Sequence, residues 1–207
     1  MKMNLPMEDN SKHSEYFDDL YMYLTRFANG LSRREFDLLA SFMVVRNFDK
    51  RVTIVNQGEI DDYLSMVIRG IARKYVVSEK GEVTLQLATE GHFIQSEISF
   101  HRRIPSDIIV ETIEPCVLIS LHYDHLQQIL ENVPGAEHLG RAIIMYMFIK
   151  KDARYFDQLK KSTRERFLEY MHNHPHMLQR VPQKILASYL NIKPETFSRL
   201  KHLIRKK

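Results

Sequence analysis

Between about residues 44 and 121 the chain is a run of short segments rich in Val, Ile, Tyr and Thr, separated by Gly58, Gly70, Gly81 and Gly91 at ten- to twelve-residue spacing. The segments cover 52–55, 63–68, 72–77, 84–87, 108–112 and 116–119. Each is short for a helix and long enough for a strand, and the regular turn signals predict an all-β sandwich or barrel. One glycine alone says only that a turn needs positive φ; it is the ordered set that constrains the fold. Ser78-Glu79-Lys80-Gly81-Glu82 reads as a hairpin tip.

Helical spacing flanks this block. Residues 1–13 have no period and read as a disordered tail, whereas Phe17, Leu20, Tyr21 and Leu24 place a helix over 14–28. Ser32 and Glu35 form a capping-box signature for a helix carrying Phe36, Leu38, Leu39, Phe42 and Met43. After a short helix over 124–131 and the Pro134-Gly135 break, a long helix is predicted over about 136–159. Along it Leu139, Ala142, Tyr146, Ile149, Ala153 and Phe156 step by 3, 4, 3, 4, 3. This is the spacing of a coiled-coil seam and points to a homodimer, with packing inside one subunit as the alternative. A second stripe, Ile143, Ile144 and Met147, faces the β block. Ser162 and Glu165 give another capping box, opening a helix with Phe167, Leu168, Tyr170 and Met171 that ends at His172–His176.

Charge is concentrated at the C-terminus. Residues 181–207 hold seven Lys and Arg against one acid, a local +6, while the whole chain sums to +4, so residues 1–180 carry −2. A basic end on a mildly acidic body suggests a polyanion-binding module. Its apolar spacing is more specific than its charge. Leu186, Ala187 and Leu190 share one face of a short helix, Asn191 tolerates the left-handed turn, and Ile192 plugs the corner. Pro194 suits a first helical position, and Phe197, Leu200 and Ile204 form the inner face of a second helix. This is a helix-turn-helix pattern whose outer face carries Glu195, Thr196, Ser198, Arg199, Lys201 and His202. An ordinary basic hairpin with a solvated face is the alternative.

Other classes are bounded by what the chain lacks. There is no apolar stretch near twenty residues and no secretory-type apolar core at the start, so no membrane span is expected and a cytoplasmic location is. One cysteine, Cys116, excludes an intramolecular disulfide and a multi-cysteine iron–sulfur or zinc site within one chain. A cupin-like enzyme would need clustered His and Glu on neighbouring strands, which these segments do not offer, so no catalytic residues and no metal ligands are assigned.

The order of elements resembles the Crp/Fnr family of bacterial transcription regulators over roughly residues 31–207. The matching fragments are Ile54-Val55-Asn56-Gln57-Gly58-Glu59, Met66-Val67-Ile68-Arg69-Gly70-Ile71-Ala72-Arg73, Gly81-Glu82-Val83-Thr84-Leu85, Gly91-His92-Phe93-Ile94 and Glu195-Thr196-Phe197-Ser198-Arg199. The resemblance implies an α+β protein: an N-terminal β-roll (double-stranded β-helix) flanked by helices, a long dimerisation helix, and a C-terminal (winged) helix-turn-helix. The divisions are 1–13 for the tail, 14–134 for a sensor roll, 135–160 for the dimerisation helix and 161–207 for DNA binding. It implies a homodimer on a two-fold symmetric operator in double-stranded DNA, with RNA polymerase as a further partner of an activator. Glu195 would accept from a cytosine amino group and Arg199 would fork onto guanine O6 and N7. Thr196, Ser198, Lys193, Lys201, Lys206 and Lys207 would hold phosphates. Pro194 stands where many relatives carry a polar reading residue.

The family's roll often binds a cyclic nucleotide through a Gly-Glu pair and an Arg-Ser or Arg-Thr pair. On that resemblance Glu97 matches the ribose-binding Glu but follows Ser96, and the phosphate Arg falls near Ser106 with Asp107 beside it. An Asp there repels phosphate, and Arg102 and Arg103 are out of register, which argues against cyclic AMP. Glu97, Ser106, Asp107 and Arg103 are the candidate pocket residues, for an effector the sequence does not identify. A small organic acid, a lipid-like molecule, haem on His92, His101 or His122, or no ligand at all stay open. A cyclic-nucleotide- or small-ligand-binding interaction module without operator specificity is the alternative function.

Overall fold

The computed structural model describes residues 13–28, 30–79 and 81–203. All but His13 of the expected N-terminal tail, together with Ile204 and Arg205 to Lys207, therefore lies outside the described residues.

Two helices precede the strands. α1 (Ser14–Thr25) buries Phe17, Leu20 and Leu24 and stops three residues before Ala28, where Phe27 and Ala28 both donate to the Leu24 carbonyl in a tightening last turn. α2 (Arg33–Ala40) starts from the expected capping box: the Ser32 N–H donates to Glu35 Oε2 at 2.9 Å and the Glu35 N–H to Ser32 Oγ at 3.3 Å. Phe42 lies beyond the end of α2, and Met43 opens β1 (Met43–Phe48) instead of extending the helix.

The remaining strands are β2 (Thr53–Val55), β3 (Tyr63–Arg69), β4 (Ala72–Ser78), β5 (Gly81–Ala88), β6 (Phe93–Ile94), β7 (Ile109–Thr112) and β8 (Cys116–His122), with a short helix, α3 (Glu97–Arg102), between β6 and β7. They form two antiparallel sheets, ordered β1-β8-β3-β6 and β2-β7-β4-β5. β1 pairs with β8, the last strand of the block, so the chain closes on itself as a double-stranded β-helix. Val55, Val67, Ala72, Ala88, Ile94, Val110, Cys116 and Leu118 fill the space between the sheets. The β3–β4 turn needs glycine: Gly70 has φ 93°, and a Cβ there would sit 2.3 Å from the Pro115 carbonyl oxygen and 2.8 Å from Cys116 Sγ.

Helices complete the chain: α4 (Tyr123–Asn132), α5 (Ala136–Lys160), α6 (Thr163–Asn173), α7 (Met177–Arg180), α8 (Gln183–Tyr189) and α9 (Pro194–Lys201). α6 opens on the Ser162–Glu165 capping box. Among the described residues after 160 every regular element is a helix, so a wing has no strand there.

The face of α5 differs from the expected seam. Leu139 is buried with the α2 and α4 side chains, and Ala142 packs beside it. Tyr146 stacks on Phe27 at 4.4 Å between ring centroids, and Ile143 and Met147 lie against the outer face of the roll as expected. Leu139, Ala142 and Tyr146 therefore belong to the fold of one subunit, because the helix lies in the groove that α1, α2 and α4 leave open. Ile149, Ala153 and Phe156 remain exposed, as does Ile144, which turns away from the roll. With them Met145, Phe148, Tyr155 and Leu159 make the exposed apolar face.

The terminal helices pack on the second sheet. Ile71, Leu87 and Ile113 of the roll share a core with Phe167, Met171, Met177, Val181, Leu186, Ala187, Leu190, Ile192 and Phe197. Polar contacts fix the same interface. Arg180 reaches Glu90 at 2.7 Å and also Glu114, while Glu90 accepts from the Gly70 N–H at 3.1 Å. The Thr84 N–H donates to Ser188 Oγ at 2.8 Å. Arg154 of α5 donates to the carbonyls of Leu85 on β5 and Tyr189 on α8 and lies 3.8 Å over the Tyr189 ring.

Candidate nucleic-acid interface

The α8–α9 unit is built by local rules. At the end of α8 the Ile192 N–H donates to the Ala187 carbonyl (2.9 Å) and the Asn191 N–H to that of Ser188 (3.0 Å), with Asn191 at φ 53°. This is the Schellman arrangement, and it ends α8 sharply enough to turn the chain into α9. Pro194 occupies the first turn of α9, where its missing N–H costs nothing. Phe197 is buried edge-on against Phe167, with centroids 5.1 Å apart at 90°, and Leu186 and Ala187 are buried where the helices meet.

Burying Phe197 directs the opposite face outward. Lys193, Glu195, Ser198 and Arg199 are exposed, and Thr196 and Lys201 are partly so. Among the described residues the one side-chain hydrogen bond on this face is internal and long, Arg199 Nε to the Glu195 carbonyl at 3.5 Å. Glu195 and Arg199, one turn apart, thus share a surface with polar groups of both signs and no ion pair among the described residues. Lys206 lies outside the described residues.

The expected pocket residues are brought into one region, but they bind one another's surroundings. Glu97, at the start of α3, places both carboxylate oxygens 2.6 Å from Nζ of Lys74, a β4 side chain with 7% exposure. Burial pushes the Lys74 ammonium below the usual lysine range, and the Glu97 charge opposes that shift. Ser106 is buried, donating to the Ile108 carbonyl at 2.7 Å, with its Oγ 2.8 Å from the Ser96 hydroxyl. Arg103, at φ 54°, pairs with Asp62, donates to the Asp61 carbonyl at 2.8 Å and covers the Tyr123 ring at 4.4 Å. Asp107 is exposed.

Sequence reasoning missed Asp61 and Lys74. Asp61, 3% exposed, accepts from the Ser96 N–H at 2.7 Å and the Tyr63 N–H at 3.1 Å. Burial pushes its carboxyl up, while these donors and the nearby Arg46 charge pull it down. A carboxylate of the chain thus takes the N–H at the entry of α3. No local signal could have found it, since Asp61 and Ser96 are 35 residues apart.

Among the described residues no group of three or more His, Cys, Asp or Glu could hold a metal ion. His92, His101 and His122 are separately engaged: His92 Nδ1 lies 3.0 Å from Thr89 Oγ1, His101 meets Phe100 edge-on, and His122 Nδ1 accepts from the Asp124 N–H at 3.2 Å. No helix among the described residues is long and apolar enough to cross a membrane.

Residues 45–133 match the family model for the cyclic nucleotide-binding domain, which places that likeness on the roll and α4. No curated protein matches the sequence. Among solved structures, the fold is similar to that of CLP, a c-di-GMP-responsive global regulator of Xanthomonas campestris, with TM-score 0.67 and 17% identity over 84% of this chain and 92% of that one. FixK2 of Bradyrhizobium japonicum gives TM-score 0.65 and 15% identity over 79% and 84%. The catabolite activator protein of Thermus thermophilus gives 0.54 and 22% over 89% and 87%. These likenesses extend beyond the roll into the helical C-terminal region.

Proposed function

We propose that the protein is a DNA-binding transcription regulator of the Crp/Fnr kind, acting as a homodimer on a two-fold symmetric operator, and not an enzyme. The observation that carries this reading is the α8–α9 unit, whose Schellman turn and buried Phe197 present Glu195, Ser198 and Arg199 to solvent with no ion pair among them. The likeness in fold to a global regulator and a catabolite activator supports it. Glu195 and Arg199 read base edges, and Lys193, Thr196, Ser198, Lys201 and Lys206 hold phosphates.

The second copy docks along the exposed face of α5. Met145, Phe148, Tyr155 and Leu159 fit a heptad stripe with Asp152 at the intervening position, and Ile149 and Phe156 flank it. That stripe replaces the expected seam at its N-terminal half and keeps Ile149 and Phe156 from it. The operator expected for such a dimer has half-sites roughly 34 Å apart, one turn of duplex.

The roll does not take cyclic AMP in this reading. Ser106 and Asp107 stand where a phosphate-binding Arg would be, Lys74 is held by Glu97, and the N–H at the entry of α3 is held by Asp61. Selection from a random duplex pool tests the main claim: enrichment of two-fold symmetric sites is expected, and salt-sensitive binding without enrichment would refute it. A clear rise in melting temperature with saturating cyclic AMP would refute the reading of the roll.

A further inference from the structure

We propose that Asp61 does from within the chain what a small anionic effector would do from outside: its carboxylate pins α3 to the roll, so that operator binding needs no small molecule. This rests on the DNA-binding reading above and adds how the roll is regulated.

Asp61 lies in the β2–β3 loop, and three of its four polar groups cross to the α3 segment. Carboxylate Oδ2 accepts the Ser96 N–H at 2.7 Å, the Asp61 N–H donates to Ser99 Oγ at 2.9 Å, and the Asp61 carbonyl accepts from Arg103 at 2.8 Å. The fourth, Oδ1, accepts the Tyr63 N–H and steadies the carboxylate from its own strand. The flanking residues close the same seam: the Ser106 N–H donates to the Glu59 carbonyl and the Gly58 N–H to the Ser106 carbonyl, both at 2.8 Å. Removing a buried carboxylate from N–H donors leaves those donors unsatisfied, so this contact is costly to break. An outside anion would have to displace it, and a group tethered to the chain competes at an effective concentration of about millimolar or above. The ordering that an effector would impose on α3 is thus already imposed by folding.

The pinned segment is joined to the terminal helices by an unbroken series of contacts. Glu97, the first residue of α3, holds Lys74 of β4 through both carboxylate oxygens. Lys74 is paired with Gln86 in the β4–β5 ladder, and Gln86 Nε2 returns to the Phe93 carbonyl at 2.8 Å, on the strand that leads into Ser96. Next on β5, the Leu85 carbonyl accepts from Arg154, which also donates to the Tyr189 carbonyl of α8 at 2.7 Å. The Thr84 N–H then reaches Ser188 Oγ on the same helix. The place of α3 therefore bears on β4 and β5, and β5 carries α8. Freeing α3 by removing the Asp61 carboxylate should loosen α8 at the other end of the series, which is a coupling between two distinct sites through contiguous packed groups.

The test unfolds the full-length protein in guanidinium, dialyses it free of small molecules, refolds it and titrates it with the selected operator by fluorescence anisotropy. The native protein is expected to bind with unchanged affinity. Asp61→Asn keeps the size of the side chain and removes its charge; it should bind about tenfold more weakly, within the roughly 5- to 150-fold span of coupling between sites. Amide exchange should quicken in residues 97–102 and 186–190 together. Ser99→Ala removes only the acceptor of the Asp61 N–H and guards against a folding defect; it should move both readouts in the same direction by less. Combining Asp61→Asn with Arg154→Ala should weaken binding by less than the product of the two separate effects, because both lie on one route. Loss of operator binding by refolded native protein at an unchanged melting temperature overturns the proposal with the operator reading intact. Full affinity and unchanged exchange in Asp61→Asn do the same. Failure to select any operator overturns both.

Discussion

The interior of the roll around α3 and the outer face of α9 are both rich in charged and hydroxylated side chains, yet they handle them in opposite ways. Around α3, Lys74 meets Glu97, Asp61 takes the Ser96 and Tyr63 N–H groups, Ser106 bonds to Ser96, and Ser65 Oγ lies 2.9 Å from Ser120 Oγ. Buried side-chain atoms without a partner are few among the described residues: Arg73 Nε, Thr84 Oγ1 and Gln95 Oε1. On α9, Glu195 and Arg199 face solvent with no salt bridge. Buried polar groups must be paired within the chain or destabilise it, while exposed ones are free to wait for a partner. The contrast teaches that this chain pairs its interior charges internally and leaves those of α9 open to a partner.

The largest effect is expected where neither rule applies, on the apolar face of α5. Phe148→Asp should halve the mass measured by light scattering and abolish selection of symmetric sites, because a charge would be trapped in the seam. Tyr146→Asp should instead lower the melting temperature, since Tyr146 packs on Phe27 within one subunit. The reverse pattern would return the seam to the Leu139–Tyr146 side.

Next comes Glu97→Gln, which leaves the Lys74 ammonium buried without its counter-ion. A cost of about 3 kcal/mol is expected, toward the lower end for a broken buried pair because Glu97 keeps 31% exposure. Denaturant titration measures it, and a change under about 0.5 kcal/mol would show that the pair does not hold the interior closed.

Arg199→Ala should leave stability unchanged and remove about 1–3 kcal/mol of discrimination at one base pair, read by competition between operator variants. Loss of stability without loss of discrimination would place Arg199 on the wrong side of the contrast.

The smallest effect is one of pH. Burial holds the imidazole of His92 below its usual value, with the Lys150 and His174 charges adding to the shift, and His174 is lowered by burial and by His176 and Lys150. A base with a depressed folded pKa keeps its full stability contribution above its unfolded value, about 6.5, and loses it as pH falls through the folded value. The melting temperature should therefore fall between roughly pH 7 and pH 5. His92→Asn should flatten part of that fall, and an identical fall in the variant would clear His92 of the effect.

What could be read in advance follows the range of the interactions. The Ser32 and Ser162 capping boxes and the Asn191 turn close within five residues, so their signals were complete in the sequence. The glycine spacing identified the roll, although β1 was missed as a separate segment, its Met-Val-Val-Arg-Asn-Phe run following α2 after a two-residue turn. α7 was missed beyond the His172–His176 stretch because four residues carry little periodicity. The α5 stripe showed that two faces were apolar but not which one met the roll, since that choice depends on where Phe27 sits. Lys74–Glu97 and Asp61–Ser96 span 23 and 35 residues, and only strand register brings them together.

Arg154 touches three parts at once: its own rod-like helix, the β4–β5 hairpin through Leu85 and the first helix of the reading head through Tyr189. The head is therefore geared to the rod. One residue added to α5 between Tyr146 and Arg154 would swing everything beyond it by about 100° about the helix axis, because the α-helix makes a turn every 3.6 residues. In the proposed dimer, the phase of the two heads on the double helix would thus be set by the length of a single helix.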